Sequence, residues 1–154
     1  MNESELRLDR QICFRLYRAS RSIIRLYQPI LDTLNITYPQ YITMLVLWED
    51  NVIDFKDLGR RLDLKTGTLT PIVKNLEQLG YVQREQNRED KRKIWVKITE
   101  TGKELKSRAQ SIPESLNHFI NMDQEQYERY AFLLDELVDL LKNAETKQKE
   151  KELR

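Results

Sequence analysis

The feature that most constrains this sequence is a single change of hydrophobic period between Asp54 and Thr99. The first half of this segment has apolar residues at helical spacing, which predicts a two-turn helix, a short break and a longer helix ending at Gly80. The second half has apolar residues at alternate positions, which predicts two strands, at 81–85 and 94–98, around a polar hairpin tip. A short helix, a longer helix and a strand hairpin, in this order, predict a winged helix-turn-helix.

Two helices are predicted before this segment. Apolar residues at helical spacing run from Asp9 to Leu34, and Pro29 is expected to kink or break this helix. A second helix, with Thr37 as its N-cap, is expected to run to about Glu49. The residues of this second helix that are expected to be mostly buried are Tyr41, Met44, Leu45, Leu47 and Trp48.

The chain after the segment is also predicted to be helical. Thr99 is the N-cap of a long helix that Pro113 should bend or end. The last helix starts after Asp123 and carries an apolar stripe from Tyr127 to Leu141, which favours packing between subunits over a ligand site. Beyond Ala144 the tail is charged and is expected to fray. The predicted fold is therefore mainly α with a small β-wing.

The distribution of charge points to a nucleic-acid partner. The whole chain has a formal net charge of +1. Residues 52–98 carry 11 basic and 7 acidic groups, net +4, whereas residues 1–51 are neutral and residues 99–154 have a net charge of −3. Positive charge is thus concentrated on the predicted winged helix-turn-helix, as a partner with a phosphate backbone would favour.

The predicted DNA-binding residues form two sets. The major groove accepts one α-helix, and a β-wing can reach the sugar–phosphate backbone or the minor groove. The candidates on the outward face of the longer helix are Lys65, Thr66, Thr68, Thr70 and Lys74. The candidates on the wing are Arg88, Lys91, Arg92 and Lys93. Arg92, at the tip, is the candidate for minor-groove insertion or backbone contact.

The chain offers little for enzymatic or metal chemistry. Cys13 is the only cysteine, which excludes an internal disulfide and any CxxC redox or zinc motif, and His118 is the only histidine, which excludes a His-based metal site or a Ser-His-Asp triad within one chain. We therefore expect no metal, no cofactor and no enzyme; a thiol peroxidase built on Cys13 would lack a resolving thiol and a visible base. With no apolar run near 20 residues and no secretory signal, a cytoplasmic protein without a membrane partner is expected.

Four motifs within the winged helix-turn-helix carry a family resemblance. They are LGRRL at 58–62, TGTLTP at 66–71, LEQLGYV at 76–82, and DKR at 90–92 followed by VKIT at 96–99. As a set they resemble the MarR family of bacterial transcriptional regulators, whose wing carries Asp-x-Arg with a hydrophobic-x-hydrophobic-Thr close behind. The resemblance extends from about Leu8 to Lys142.

Further motifs are most similar to the OhrR branch of that family, the organic-hydroperoxide sensors. They are QICF at 11–14, Tyr17, Tyr27, LNITYPQY at 34–41 and WE at 48–49. The branch usually has Asp-Ser-Gly-Thr-Leu-Thr-Pro at the recognition helix, where this chain has Lys65 in place of the acid. The groove-facing end of this helix therefore carries a basic residue where the branch has an acidic one. The operator sequence of other members of the branch should not be assumed for this chain.

The resemblance implies an obligate homodimer that binds a pseudo-palindromic operator in double-stranded DNA and loses it when the cysteine is oxidised. The dimer would be built from the first helix and the last two helices. In these terms the single chain 1–154 divides into dimerisation helices at 8–36 and 100–144, the DNA-binding region at 37–99, and a charged tail at 145–154.

The resemblance also assigns a redox site at Cys13. A thiolate is the nucleophile toward a peroxide, so the site must stabilise negative charge. Tyr17 lies one helical turn on, and the resemblance implies that Tyr27 and Tyr38 of the other subunit hydrogen-bond the sulfur, which would lower the pKa of the thiol. Oxidation to sulfenic acid would disrupt those bonds. The sulfenic acid could then capture a low-molecular-weight thiol or cyclise to a sulfenamide, and the sequence does not choose between them.

Two main functional hypotheses follow from the sequence. In the first, the protein is a repressor that leaves its operator when organic hydroperoxide oxidises Cys13. In the second, the same fold responds instead to a small phenolic or aromatic ligand bound between the dimer helices and the DNA-binding region. A helical adaptor without DNA affinity is a further alternative.

Overall fold

The helices and the hairpin expected between Asp54 and Thr99 are present in the computed structural model, which describes residues 6–152. The helices of this part of the chain are α1 (Ile12–Asp32), α2 (Tyr38–Asp50), α3 (Phe55–Leu62), α4 (Thr66–Gln78), α5 (Glu100–Ala109), α6 (Ile112–Ile120) and α7 (Gln124–Glu152). The strands are β1 (Val52–Asp54), β2 (Val82–Gln86) and β3 (Ile94–Ile98), and one 3₁₀ turn, Leu8–Arg10, precedes α1. The mainly α fold with a small β-wing is confirmed.

The chain forms two compact units, one that ends at Leu116 and one that begins at Asn117. The first contains α1 to α5 and the sheet, and it holds the hydrophobic core. The second contains α7, in which no residue is buried within this chain. No helix within residues 6–152 is both long and apolar enough to span a membrane.

Local signals fix the ends of the helices around the helix-turn-helix. Thr37 and Gln40 form a capping box at the start of α2, in which the Thr37 amide donates to Gln40 Oε1 at 2.7 Å. Asp54 caps α3, because its Oδ1 accepts from the Lys56 amide at 2.8 Å. Gly80, with a φ of 77°, ends α4 in the left-handed conformation that favours glycine. These three sequence predictions are confirmed.

Removing the cap of α3 should destabilise the first unit. We expect Asp54→Ala to lower the free energy of unfolding by about 1 kcal/mol, because the Lys56 amide loses its acceptor. Asp54→Asn keeps a side-chain oxygen at the same place and should cost much less. Urea unfolding followed by circular dichroism measures both, and equal stability of the two variants would contradict the capping role.

The wing is part of a three-stranded antiparallel sheet with the order β1-β3-β2. Val52 pairs with Lys97 on one side of β3, and Val82 pairs with Ile98 on the other. β1 was not expected from the sequence. A strand of three residues is too short to show a period, and it forms only because β3 offers it a hydrogen-bonding edge.

The core is made mainly by one face of each helix in the first unit and the inner face of the sheet. Its fully buried members include Leu31, Met44, Leu47, Leu58, Leu69, Val73, Leu76 and Val96. Trp48 is buried and its indole Nε1 donates to the carbonyl of Gly102 at 2.8 Å, which ties α2 to α5. Leu45 does not join this core. It is 38% exposed, so its predicted burial was wrong: this position lies on the solvent-facing side of α2.

Pro29 does not break α1, so that part of the sequence expectation was wrong, and the alternative of a kink stays a prediction. The helix runs to Asp32, and Pro29 is exposed on its outer side. Leu31 and Leu34, which follow the proline, are buried in the core. Packing of these leucines compensates for the backbone hydrogen bond that proline cannot donate.

The charged tail does not fray where the sequence analysis expected. α7 continues beyond Ala144 to Glu152, the last residue that the structure describes. Residues 145–152 contain no glycine or proline and consist mostly of Lys, Glu and Gln, which favour helix and can pair at i,i+4. By contrast, the expected interruption near Pro113 is confirmed, because α5 ends at Ala109 and Pro113 is the second residue of α6.

Candidate DNA-binding surface and redox site

α4 exposes the face that the sequence analysis assigned to DNA. Leu69, Val73 and Leu76 are buried beneath it, and Ile72 is half-buried at its edge. The candidate contact residues on this helix are all exposed: Lys65, Thr66, Thr68, Thr70 and Lys74. The helix therefore presents two lysines and three hydroxyls on a surface that the core holds in place.

The N-terminus of α4 is open to a ligand. Lys65 occupies the N-cap position and its side chain makes no capping hydrogen bond. At Gly67, in the first turn, a Cβ atom would meet nothing within 4 Å. The first amides of a helix carry partial positive charge, so this end of α4 can accept an anionic oxygen. Thr70 donates its hydroxyl proton to the Thr66 carbonyl at 2.7 Å and keeps its lone pairs as acceptors.

The wing tip is organised around two side chains that hold its backbone. Asn87 Oδ1 accepts from the amides of Glu89 and Asp90, at 2.8 and 3.1 Å. Asp90 Oδ1 in turn accepts from the Arg92 amide at 3.1 Å and from Arg92 Nε at 3.2 Å. These bonds hold the pKa of Asp90 below its usual value. The Arg92 side chain is nevertheless 90% exposed, so it projects from an ordered tip.

The other wing candidates lie on the same hairpin and are also exposed. They are Arg88, Lys91 and Lys93. The Lys93 amide donates to the Asp90 carbonyl and the Asn87 amide to the Lys93 carbonyl, both at 2.9 Å, which closes the hairpin below the tip. The structure thus brings the α4 set and the wing set together within one compact unit.

Two arginines that were not singled out from the sequence join these elements through three ion pairs. Arg84 on β2 donates to Glu77 on α4 from Nη2 at 2.6 Å and from Nε at 2.9 Å, so the wing is tied to the recognition helix. Arg61 on α3 bridges Glu49 and Asp50 at the end of α2, and these bonds raise the pKa of its guanidinium. The pairs join residues 7 to 12 apart across a helix end, a separation that has no sequence signature.

Cys13 lies in the first turn of α1 and its side chain is exposed. Tyr17 follows one turn later on the same helix and is 55% exposed. Its hydroxyl accepts from Arg21 Nη1 at 2.7 Å, and the Arg21 guanidinium also lies over the Tyr17 ring, 5.4 Å from its centroid. This arrangement leaves Cys13 accessible to a peroxide.

Tyr27 and Tyr38 form a half-buried aromatic cluster with Tyr41. The ring centroid of Tyr27 lies 5.0 Å from that of Tyr38 and 5.7 Å from that of Tyr41. Burial, together with the neighbouring phenols, raises the pKa of Tyr27 to about 12. Its hydroxyl therefore stays protonated, and remains a hydrogen-bond donor, at any physiological pH. Tyr41 was not among the redox residues expected from the sequence.

One chain does not bring this cluster to Cys13. Tyr27 follows Cys13 by 14 residues on the same α-helix, a separation of about 21 Å along the axis. Within the chain, only Tyr17 of the predicted redox residues is a neighbour of Cys13.

Comparison with known proteins places this geometry in a family. Residues 25–109, more than half of the chain, match the family model described as transcriptional regulator SarA/Rot. The chain is also 44% identical over 111 residues to the organic hydroperoxide resistance transcriptional regulator of Bacillus subtilis, covering 72% of this chain and 76% of that protein. The chain belongs to the MarR/SarA family of DNA-binding transcriptional regulators. The family assignment from the sequence is confirmed.

Solved structures extend the likeness of this MarR/SarA regulator to almost the whole chain. Reduced AbfR bound to DNA superposes with a TM-score of 0.76 at 35% identity, covering 93% of this chain and 98% of that one. A disulfide-formed state of AbfR, a protein of Staphylococcus epidermidis, superposes less closely, with a TM-score of 0.60 at 35% identity over 92% of this chain and 94% of that one.

Proposed function

We propose that this MarR/SarA regulator is a repressor that is released from its operator when organic hydroperoxide oxidises Cys13. The observation that carries this proposal is an accessible thiol in the first turn of α1, in a chain 44% identical to an organic hydroperoxide resistance regulator. AbfR has been solved in a reduced and in an overoxidized form bound to DNA and in a disulfide-formed state, which supports thiol oxidation in a DNA-binding protein similar to this chain.

The DNA partner is a pseudo-palindromic operator read by α4 and the wing. The hydroxyls of Thr66, Thr68 and Thr70 face the major groove, with Lys65 and Lys74 beside them for phosphate contact. Arg92 projects from the wing toward the minor groove or the backbone, flanked by Arg88, Lys91 and Lys93. Two copies of α4, one from each subunit, would enter successive major grooves about one helical turn apart.

A homodimer would cover apolar surface that one chain leaves exposed. On α1 this surface includes Ile12, which is 63% exposed. On α7 the exposed large apolar residues are Tyr127, Tyr130, Phe132, Leu133, Leu134, Val138, Leu140 and Leu141. Exposed apolar surface of this extent favours a protein–protein interface. The dimer would also supply the phenols of Tyr27 and Tyr38 from the second subunit to Cys13.

The proposed chemistry begins with the thiolate of Cys13. The sulfur attacks one peroxide oxygen, and an S–O bond forms as the O–O bond breaks. The hydroperoxide is reduced by two electrons to an alkoxide, which takes up a proton to give the alcohol. A low-molecular-weight thiol can then displace water from the sulfenic acid to form a mixed disulfide. A second thiol then attacks the mixed disulfide, which releases the Cys13 thiol and leaves the two small thiols joined as a disulfide.

The proposed output is a change of dimer geometry. The phenol of Tyr27, with its pKa raised to about 12, stays protonated and can donate a hydrogen bond to the Cys13 thiolate. An oxygen atom or a disulfide added to the sulfur removes this hydrogen bond. Two recognition helices must meet grooves at a fixed spacing, so a modest rotation of the subunits lowers the affinity for the operator.

A gel shift on DNA from upstream of the protein's own gene tests the proposal. We expect the reduced protein to retard this DNA, an organic hydroperoxide to release it, and a thiol reductant to restore the complex. An irrelevant duplex of equal length controls for non-specific binding. Reduced protein that binds the upstream DNA no better than the control duplex would remove the operator function, and binding that is indifferent to peroxide would remove the redox function.

A further inference from the structure

A cleft opens between the N-terminus of α3, the outer face of α4 and the wing. It has a volume of about 250 Å³. Its polar walls are formed by Lys56 of α3, Thr66 and Thr70 of α4, and Arg84 and Arg92 of the sheet and wing. Phe55 and Ile94 contribute apolar walls. The cleft is therefore continuous with both sets of proposed DNA contacts.

Most charged groups around this cleft already have partners. Arg84 is held by Glu77 through two hydrogen bonds, and Arg92 is held by Asp90 at 3.2 Å. Asp54 lies at the rim and accepts from the Lys56 amide. Two of the three cations of the cleft therefore already have a carboxylate partner, although Arg92 uses only its Nε for it and its side chain stays 90% exposed.

Lys56 is the exception among these cations. Its side chain is exposed, and no carboxylate in residues 6–152 lies within 4.0 Å of its ammonium. It is near enough to the wing to act electrostatically on Asp90, together with Lys93. An exposed ammonium that forms no salt bridge within 4.0 Å, in a cleft also lined by Thr66, can bind a phosphodiester oxygen.

We propose that the cleft is a binding site for one phosphodiester of the DNA backbone, with Lys56 as the cation that contacts it. The inference rests on the proposed operator function and adds a residue from α3 to the surface. A phosphate in this position would be gripped between the recognition helix and the wing, with deoxyribose against Phe55 and Ile94. The contact fixes the register of α4 on the duplex and carries no sequence information.

The salt dependence of DNA binding tests the proposal. The full-length reduced protein is titrated against a fluorescent mixed-sequence duplex of about 30 base pairs, three helical turns, at 50 and 200 mM salt. Each phosphate contact contributes about 0.9 to the slope of log K against log salt, so losing Lys56 from both subunits should reduce the slope by about 1.8. For Lys56→Gln, the loss of affinity between the two salt concentrations should therefore be about 12-fold smaller than for the wild type.

Two matched variants control the measurement. Lys103→Gln makes the same charge change at an exposed lysine of α5 that pairs with Glu100, and it should leave the slope unchanged. Lys56→Arg keeps the charge and should keep the slope. Should Lys56→Gln fold poorly in a thermal melt, Lys56→Met, which retains the aliphatic stem, reports the same slope.

The outcomes separate this proposal from the operator function. An unchanged slope for Lys56→Gln overturns the phosphate contact, and so does an equal decrease for Lys56→Gln and Lys103→Gln, which would mean a general charge effect. A wild-type protein without any salt-dependent affinity for the duplex would contradict the DNA-binding function itself, whatever the variants do.

Discussion

Replacing Cys13 by serine is expected to leave DNA binding intact and to abolish release by organic hydroperoxide. Serine has nearly the same shape at this exposed position, and its hydroxyl does not form a nucleophilic anion at neutral pH. In the wild type, oxidation should weaken operator binding by about 5- to 150-fold, the range of a coupling free energy of about 1–3 kcal/mol. In Cys13→Ser the affinities with and without peroxide should be equal.

Fluorescence anisotropy with labelled upstream DNA gives both affinities, and mass spectrometry of the protein reports the oxidation state of residue 13. Ser20→Ala, at an exposed position on the same helix, controls for a general effect of altering the surface of α1. If Cys13→Ser still releases DNA on exposure to the inducer, the signal acts elsewhere. Such a result would favour a small phenolic or aromatic ligand over the redox mechanism.

Adding one methyl group at Gly102 is expected to destabilise the first unit by about 1–3 kcal/mol. A Cβ atom at this position would lie 2.2 Å from the Tyr81 carbonyl oxygen and 2.8 Å from Ile98 Cγ1. The first turn of α5 would have to move away from the start of β2. The same glycine accepts the hydrogen bond of the buried Trp48 indole, so the link between α2 and α5 would be strained as well.

Gly67→Ala is the matched control for Gly102→Ala. A Cβ at Gly67 meets nothing within 4 Å, and alanine favours helix over glycine by up to about 1 kcal/mol. Urea midpoints should therefore fall for Gly102→Ala and stay level or rise for Gly67→Ala. Equal midpoints for the two variants would show that α5 and the wing do not pack as closely as the structure indicates.

The effect of Gly102→Ala should extend to DNA binding because α5 joins several functional elements. Arg108 Nη2 on α5 donates to the Thr33 carbonyl at the end of α1 at 2.8 Å. At the other end of the helix, Thr99 Oγ1 donates to the carbonyl of Gly80, where α4 ends, at 2.6 Å. A shift of α5 therefore disturbs both the helix that carries Cys13 and the end of the recognition helix.

Local chemistry explains which elements were predictable. The period of apolar residues, the caps at Thr37 and Asp54, and Gly80 after α4 act over a few residues, so the sequence shows them directly. Burial of Leu69, Val73 and Leu76 follows from the same helical spacing. The exposed face of α4 was predictable because it is the side of the helix opposite those buried residues.

The sequence by itself determined the fold class, the family and the position of the single thiol. The tertiary structure decided whether α1 continues beyond Pro29. The burial of Leu31 and Leu34, which compensates for the hydrogen bond that proline cannot donate, is visible only in the folded chain. The tertiary structure also decided which cations form ion pairs: Arg84 pairs with Glu77 and Arg92 with Asp90, whereas no carboxylate in residues 6–152 lies within 4.0 Å of the Lys56 ammonium. The physical reason is common to both, since burial and ion pairing depend on residues that are distant in sequence and meet only in the folded chain.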